Sequence, residues 1–277
     1  MANMLDLLEG LPCWEWPENA GDALRRALEE GVPDDRLRAA KLAGELVVMD
    51  DELAGVLLSI VEDPAAEPEL RARAAIACGP ALEDGDTIGF DEQLDPRFDH
   101  RVLSEACFRR VREVLRRVFE DSKVPNDVRR ACLEAAVRSP QDWHTQAVEQ
   151  ARASSDHDWR VTAIFCMGHV PGFDAALLEA LDSVDPQLLR EAVRAAGQRA
   201  LDPAGPRLLA LAESPDTDRA TRLEAVAALA YIPSDAAEEL LLALTRSQDL
   251  ELAGAAQEAL SELRALNLEP DASDSVN

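Results

Sequence analysis

Lysine is nearly missing from this chain: of its 28 basic residues, only Lys41 and Lys123 are lysines. Aromatic residues are scarce as well, at 4%, with a single tyrosine. A mostly-β protein draws heavily on β-branched and aromatic side chains, whereas this chain is rich in Ala, Leu, Arg and Glu, which favour helix. Cations are outnumbered, with 54 acids against 28 bases and a formal net charge of −26. Phosphate backbones and anionic membrane surfaces are held by clustered cations, so this balance speaks against both as general partners. Yet 47% of the residues are hydrophobic, which excludes a chain disordered throughout.

Other absences narrow the chemistry. The five cysteines, Cys13, Cys78, Cys107, Cys132 and Cys166, form no C-x-x-C pair. Their odd, scattered count reads as buried free thiols in a reducing compartment. No apolar run approaches the ~20 residues that span a bilayer. The opening MANMLDLLEG carries acids and no basic n-region, so the expected location is the cytoplasm, without a secretory signal. The four histidines make no H-E-x-x-H motif, and no Walker loop, G-x-S-x-G or G-x-G-x-x-G occurs. Cys132, Cys166, His144 and His169 fall in neighbouring units, but the cysteines occupy small or apolar columns and read as packing residues, not zinc ligands. The expectation is a protein with no catalytic residues, metal or cofactor. Acids are so numerous that any pair resembles an acid/base couple, which makes such pairs uninformative.

What is present is a period of about thirty residues, the mark of stacked units. An apolar residue, usually followed by Arg, opens a run of small residues that often ends in Gly. Examples are Leu70-Arg71 to Gly79, Val128-Arg129 to Val137, Trp159-Arg160 to Gly168 and Thr221-Arg222 to Ala230. Leu37-Arg38 to Leu46 opens the series, and Leu188 to Gly197 and Leu250 to Ala259 complete it. One small-residue column runs through Ala74, Cys132, Ala163, Ala192, Ala225 and Gly254, with Lys41 in the atypical first unit. From Cys132 onward its steps are 31, 29, 33 and 29 residues, whereas Ala74 to Cys132 takes 58, room for an insertion. The arginine column is less clean, with Leu189 and Glu251 in two of its slots. Before each run lies another amphipathic segment, closed by turns such as Asp63-Pro64, Asp185-Pro186 and Ser214-Pro215-Asp216.

Each unit therefore reads as an antiparallel helix pair. A lone pair of such short helices cannot bury its apolar face, and stacking buries a continuous core. Asp127 and Asp158, just before second helices, are expected to pair with the arginine of an adjacent unit in an internal ladder. The helix pair, the Asp-x-Arg start and the small run ending in Gly resemble HEAT repeats of the bacterial phycobilin-lyase-like type. The likeness covers roughly residues 20 to 265 and is most specific over 124 to 232. It implies an all-α solenoid of about seven antiparallel helix pairs, with second helices lining the inner face, and at least twelve helices and no sheet. It implies a scaffold role and no known reaction. HEAT proteins that hydroxylate lysine derivatives carry repeated His-Glu pairs, which this chain lacks. The alternative from the same likeness is a HEAT-like enzyme, lyase or chaperone acting on alkylated DNA or a tetrapyrrole.

The expected organisation is a single repeat domain over 1–268, an acidic insertion at about 84–100, and a disordered acidic tail at 269–277. Within the insertion, Asp84-Gly85-Asp86 through Asp95 faintly resembles a calcium loop. Ile88 stands at a ligand position, however, and an acidic solvated loop is the better reading. Leu11-Pro-Cys-Trp-Glu-Trp-Pro17 reads as a cap over the first unit, with Trp14 and Trp16 as its alternative binding residues. The densest set of large side chains is Trp143, His144, His157, Trp159, Phe165, Met167 and His169. Trp159 sits in the column of Leu70 and Val128, which predicts core. Phe165 can face either way. Trp143 and His144 open a first helix, which suits partial exposure; core and interface both stay open for them, and they are the first candidates for contact with a partner. The expected function is a non-catalytic protein-binding scaffold or adaptor whose partner carries a basic segment.

Overall fold

The computed structural model describes residues 4–46, 49–89 and 103–268. Among them lie sixteen α-helices and no strand. The chain divides into two compact units, Met1–His144 and Thr145–Asn277. Residues 90–102 of the insertion region and the predicted tail 269–277 lie outside the described residues.

The first unit holds α1 (Met4–Glu9), α2 (Ala20–Glu30), α3 (Pro33–Ala43), α4 (Asp51–Glu62), α5 (Pro68–Ala77), α6 (Gly79–Ile88), α7 (Glu105–Glu120) and α8 (Asn126–Ala136). Helices α2–α3, α4–α5 and α7–α8 pack as pairs, and the second helices α3, α5 and α8 pack side by side. Helix α9 (Asp142–Arg152) begins at the end of this unit. The second unit continues with α10 (His157–His169), α11 (Asp174–Ala180), α12 (Pro186–Gln198), α13 (Gly205–Glu213), α14 (Arg219–Ala228), α15 (Asp235–Leu244) and α16 (Leu250–Leu268). Its pairs are α11–α12, α13–α14 and α15–α16, and α10, α12, α14 and α16 pack in succession. With α9–α10, chain order gives seven pairs, the expected α-solenoid class of fold.

Helix starts follow the turn chemistry. Asp50, Ser104, Asp156, Asp185, Asp218 and Ser234 each accept a backbone N–H of the following first turn, which leaves fewer orphan donors there. Pro33, Pro68 and Pro186 sit in the first turn, where no N–H is needed.

The small column marks the closest approach between helices. Ala74, Cys132, Ala163, Ala192 and Ala225 are fully buried. The glycines that end the runs serve the same contact one or two turns later. A Cβ on Gly197 would lie 2.7 Å from Ala228 Cβ and 2.8 Å from its Cα, on the next second helix. A Cβ on Gly168 would lie 3.3 Å from Ala195 Cβ. Neighbouring backbones leave no space there for a larger side chain.

The arginine column has a different role from the one expected. Arg71 Nε donates to Val61 O at 3.0 Å, Arg129 to Phe119 O at 2.8 Å, and Arg222 to Ala212 O at 2.8 Å. Each thus satisfies a carbonyl in the last turn of the first helix of its own pair. In the first pair Arg36, not Arg38, does this, reaching Leu28 O at 2.8 Å. Arg38 instead binds Asp6 and Glu9 of α1, each at 2.6 Å, and fastens α1 over α3. Where Leu189 replaces the arginine, Arg207 of the next pair reaches Leu181 O at 3.3 Å.

A ladder between adjacent pairs does exist in the second unit, built from other residues. His157 Nε2 meets Asp185 at 2.9 Å, Arg190 meets Asp218 at 3.7 Å, and Arg219 meets Asp249 at 2.8 Å. Each aspartate also accepts backbone N–H groups at the start of its helix. These backbone and side-chain hydrogen bonds hold Asp185, Asp218 and Asp249 below the usual carboxylate range. Asp127 instead pairs within its own helix, with Arg130 at 2.7 Å.

Two further expectations change. Asp84 to Ile88 belong to α6, so the start of the supposed calcium loop is helical, and Asp86 accepts a hydrogen bond from Ser139 Oγ at 2.9 Å. Pro80 in the first turn and fully buried Leu82 explain this helix better than the Gly and Asp content explained a loop. All five cysteines are free, and four are buried, but Cys13 is only half-buried. Burial pushes the Cys78 thiol up to about 12 and the Cys107 thiol up to about 11.

Two substitutions test this packing in urea denaturation. Gly197→Ala is expected to cost roughly 1–3 kcal/mol by forcing α12 and α14 apart. Arg71→Met, at a guanidinium only 5% exposed, removes the donor from the Val61 carbonyl and is expected to cost about 1–3 kcal/mol. Wild-type stability in either variant would remove that contact from the account of the fold.

Candidate functional site

The four candidate residues separate into different environments. His144, a first candidate for contact with a partner, is fully buried. Its Nδ1 accepts the Gln141 backbone N–H at 2.9 Å, which leaves the proton on Nε2. That N–H is buried without a partner, as are Trp143 Nε1 and Gln141 Nε2. Burial pushes the His144 pKa down to about 4, and the nearby Arg112 and Arg116 guanidiniums push in the same direction. Trp143 is half-buried. Its ring lies 5.4 Å from that of Phe119, and the Arg116 guanidinium sits 5.6 Å from its centroid. The first turn of α9 therefore closes the first unit, with only part of the Trp143 ring left to solvent. A helix start fixes where these residues stand in the chain, and neighbouring α7 decides how much of them is covered.

The tryptophans of the N-terminal segment also divide. The Trp16 indole N–H donates to Leu8 O and Leu11 O, both at 3.0 Å, and so clamps the turn after α1. Trp14 is 77% exposed. The capping role expected of this segment is carried by α1, which packs on α2 and α3.

Further features lie between successive second helices. In the second unit, Phe165 and His169 stack at 5.0 Å on α10, and Arg194 of α12 sits 5.0 Å from the Phe165 centroid. Gln198 Nε2 lies 3.1 Å from the His169 ring nitrogens, and Arg194 also pairs with Glu191. Burial pushes the Glu191 carboxyl up, against the opposing pull of Arg194. Trp159, expected in the core, is half-buried.

A groove of about 360 Å³ follows between α12 and α14, lined by Arg194, Gln198, Glu224, Ala227 and Tyr231. Another of about 410 Å³ lies between α14 and α16, lined by Glu224, Ala227, Glu251, Gly254 and Glu258. Tyr231 is 45% exposed. In the first unit a groove of about 380 Å³ separates α5 from α8, with Glu69, Arg73, Asp127, Arg130 and Glu134 around Ala72 and Ile76. Sequence reading passed over Tyr231 and Arg194. The one tyrosine of the chain, standing one residue past the slot where other units have Gly, was the available signal.

Among the described residues, no three His, Cys, Asp or Glu side chains are grouped to hold a metal ion. No described helix is long and apolar enough to cross a membrane.

The buried histidine gives a pH test. The folded protein holds His144 neutral down to about 4, while the unfolded chain binds that proton near 6.5, the ordinary value for an imidazole. The unfolded state therefore carries the extra proton as pH falls through this window, and stability falls with it. The loss by pH 5 is expected to be roughly 2 kcal/mol, and it should be absent in His144→Gln, so the stability difference between the two proteins changes by that amount. NMR titration of the ring should show a neutral imidazole at pH 5.5; an imidazolium there would contradict the burial.

No protein-family model matches the chain, and no curated protein matches it. Among solved structures it is similar to human deoxyhypusine hydroxylase in complex with glycerol, at 20% identity and a TM-score of 0.42, covering 94% of this chain and 88% of that one. It is also similar to the Escherichia coli protein YibA, at 16% identity and a TM-score of 0.47 over 98% of this chain and 89% of that one. A designed armadillo repeat protein aligns at 17% identity and a TM-score of 0.31, over 87% and 98% of the two chains. These likenesses are distant, and the fold assignment rests on the helix pairs themselves.

Proposed function

We propose that this protein is a non-catalytic scaffold that binds an extended, basic segment of a partner protein along its second helices. The observation that carries the reading is the acid-rich groove between α14 and α16, where Glu224, Glu251 and Glu258 stand around a floor of Ala227 and Gly254. Small residues leave the floor open: a Cβ built on Gly254 meets nothing within 4 Å. Carboxylates along such a floor suit Lys or Arg side chains from an extended chain, and the net charge of −26 favours their approach. Exposed Tyr231 on the neighbouring groove supplies an aromatic surface of the kind that anchors interfaces. Trp14 offers a second anchor in the first unit, and the exposed part of Trp143 a third. His144 contributes only by holding its turn.

The test compares wild type with the triple variant Glu224→Arg, Glu251→Arg, Glu258→Arg. A fluorescent Arg- and Lys-rich peptide is titrated by anisotropy, and native-lysate captures are compared by mass spectrometry. The expected result is a loss of at least about tenfold in peptide affinity, with the wild-type captured set absent and the thermal melt retained. Equal peptide affinity together with an unchanged captured set would sink the reading.

A further inference from the structure

Five of the seven pairs carry an arginine four residues after the cap position of the second helix: Arg36, Arg71, Arg129, Arg160 and Arg222. Four of them donate Nε to a carbonyl near the end of the preceding first helix. Arg160 differs. It is exposed, and among the described residues its guanidinium makes no hydrogen bond, ion pair or ring contact. In its pair the chain after α9 turns on the backbone bonds Ala153 N–H to Glu149 O and Ser154 N–H to Ala151 O, and on Ser154 Oγ, which accepts the Asp156 N–H at 3.1 Å, with no arginine involved.

The freed guanidinium lines a cleft of about 330 Å³, which it shares with Arg152 at the end of α9. The apolar lining includes Ile164, Met167 and Leu188. Met167 is 2% exposed and Ile164 7%, so both are firmly held by the core. Two acids stand at the rim. Glu179 lies 3.6 Å from Arg152, a long and exposed pairing, and Asp182 is engaged by Arg207 at 3.4 Å. The cleft thus sets two arginines beside apolar side chains, one of them with no acid engaged by its guanidinium.

We propose that this cleft binds a carboxylate joined to a short branched aliphatic group. The planar guanidinium fork of Arg160 matches a carboxylate, and Arg152 can exchange Glu179 for the ligand. The aliphatic group lies against half-buried Leu188, Ala176 and Ala180 beside the covered Met167 and Ile164, and removes that apolar surface from water. A bare inorganic anion would be desolvated against these side chains without filling the space. The volume suits one such group, at the lower end of small-ligand pockets. Two sources share this chemistry: a free aliphatic acid, and the C-terminal Leu or Ile of a peptide chain. The cleft shares no lining residue with the α12–α14 and α14–α16 grooves, so its outcome does not bear on the basic-segment reading.

The test is methyl NMR on the full chain, following the Met167 and Ile164 methyl groups. The titrants are 4-methylpentanoate, its amide, acetyl-glycyl-leucine, and the C-terminal amide of that peptide. Both methyl signals are expected to shift saturably with at least one of the two acids, and the matching amide should bind at least about tenfold more weakly. Whichever acid binds more tightly names the source. Arg160→Gln should weaken the acid at least about tenfold with an unchanged melting temperature, because Arg160 supports no other group. Arg152→Gln, at an exposed position, provides a second loss-of-binding variant if the first alters the melt. Absence of shifts with both acids, equal binding of acid and amide, or wild-type affinity in both variants would overturn the proposal.

Discussion

Within each compact unit, the close approach of successive second helices governs most of the structure. Gly197 against Ala228 and Gly168 against Ala195 leave no volume for larger side chains. The column from Ala74 to Ala225 is therefore small and completely buried. Contact this close also covers backbone at the helix ends, where carbonyls lack partners within the helix. Arg36, Arg71, Arg129 and Arg222 meet that need, each at one carbonyl of its own pair. Packing and polar satisfaction are thus solved by two neighbouring columns of the same repeat. Low aromatic content follows, because bulky rings have little place in such a seam.

Sequence reading captured the seven pairs and the small column because both are periodic, and periodicity survives in one dimension. The arginines show where it ran out. Their spacing was visible, but their partners were not: a carbonyl ten residues back and an aspartate thirty residues ahead suit the same pattern equally well. The inter-pair ladder was anticipated in kind, and the partners of its aspartates are His157, Arg190 and Arg219, which belong to no sequence column. His144 failed for another reason. Its position at a helix start was legible, and the covering of its ring by residues brought in from α7 was not. Trp14 and Trp16 stand two residues apart, yet one points out while the other binds two carbonyls, a difference set by the turn around them. Helix α6 was hidden by Gly85, Asp84 and Asp86, whose low propensity is outweighed by Pro80 at its start and buried Leu82.

Charge enters this architecture at a separate level from packing. The ladder pairs are exposed, as with Arg219 at 60% and Asp249 at 39%, and pairs of that kind stabilise little. What the acids shape is the surface. They collect beside the small-residue floors between second helices, where a partner's cations would meet both carboxylates and accessible backbone. Two arginines stand at the mouth of the α10–α12 cleft, where one repeat has released its arginine from the carbonyl it serves elsewhere.

The central claim is that short-range packing and carbonyl capping hold the helix pairs together against the mutual repulsion of the excess acids, with surface ion pairs adding little. Thermal melts in about 10 mM and about 0.5 M sodium chloride test it directly, since salt screens exposed charges and leaves buried contacts almost untouched. If packing dominates, relief of self-repulsion raises the melting temperature in the higher salt. A melting temperature that falls as salt is added would mean that attractive pairs such as Arg219–Asp249 carry the stack, and would contradict this account.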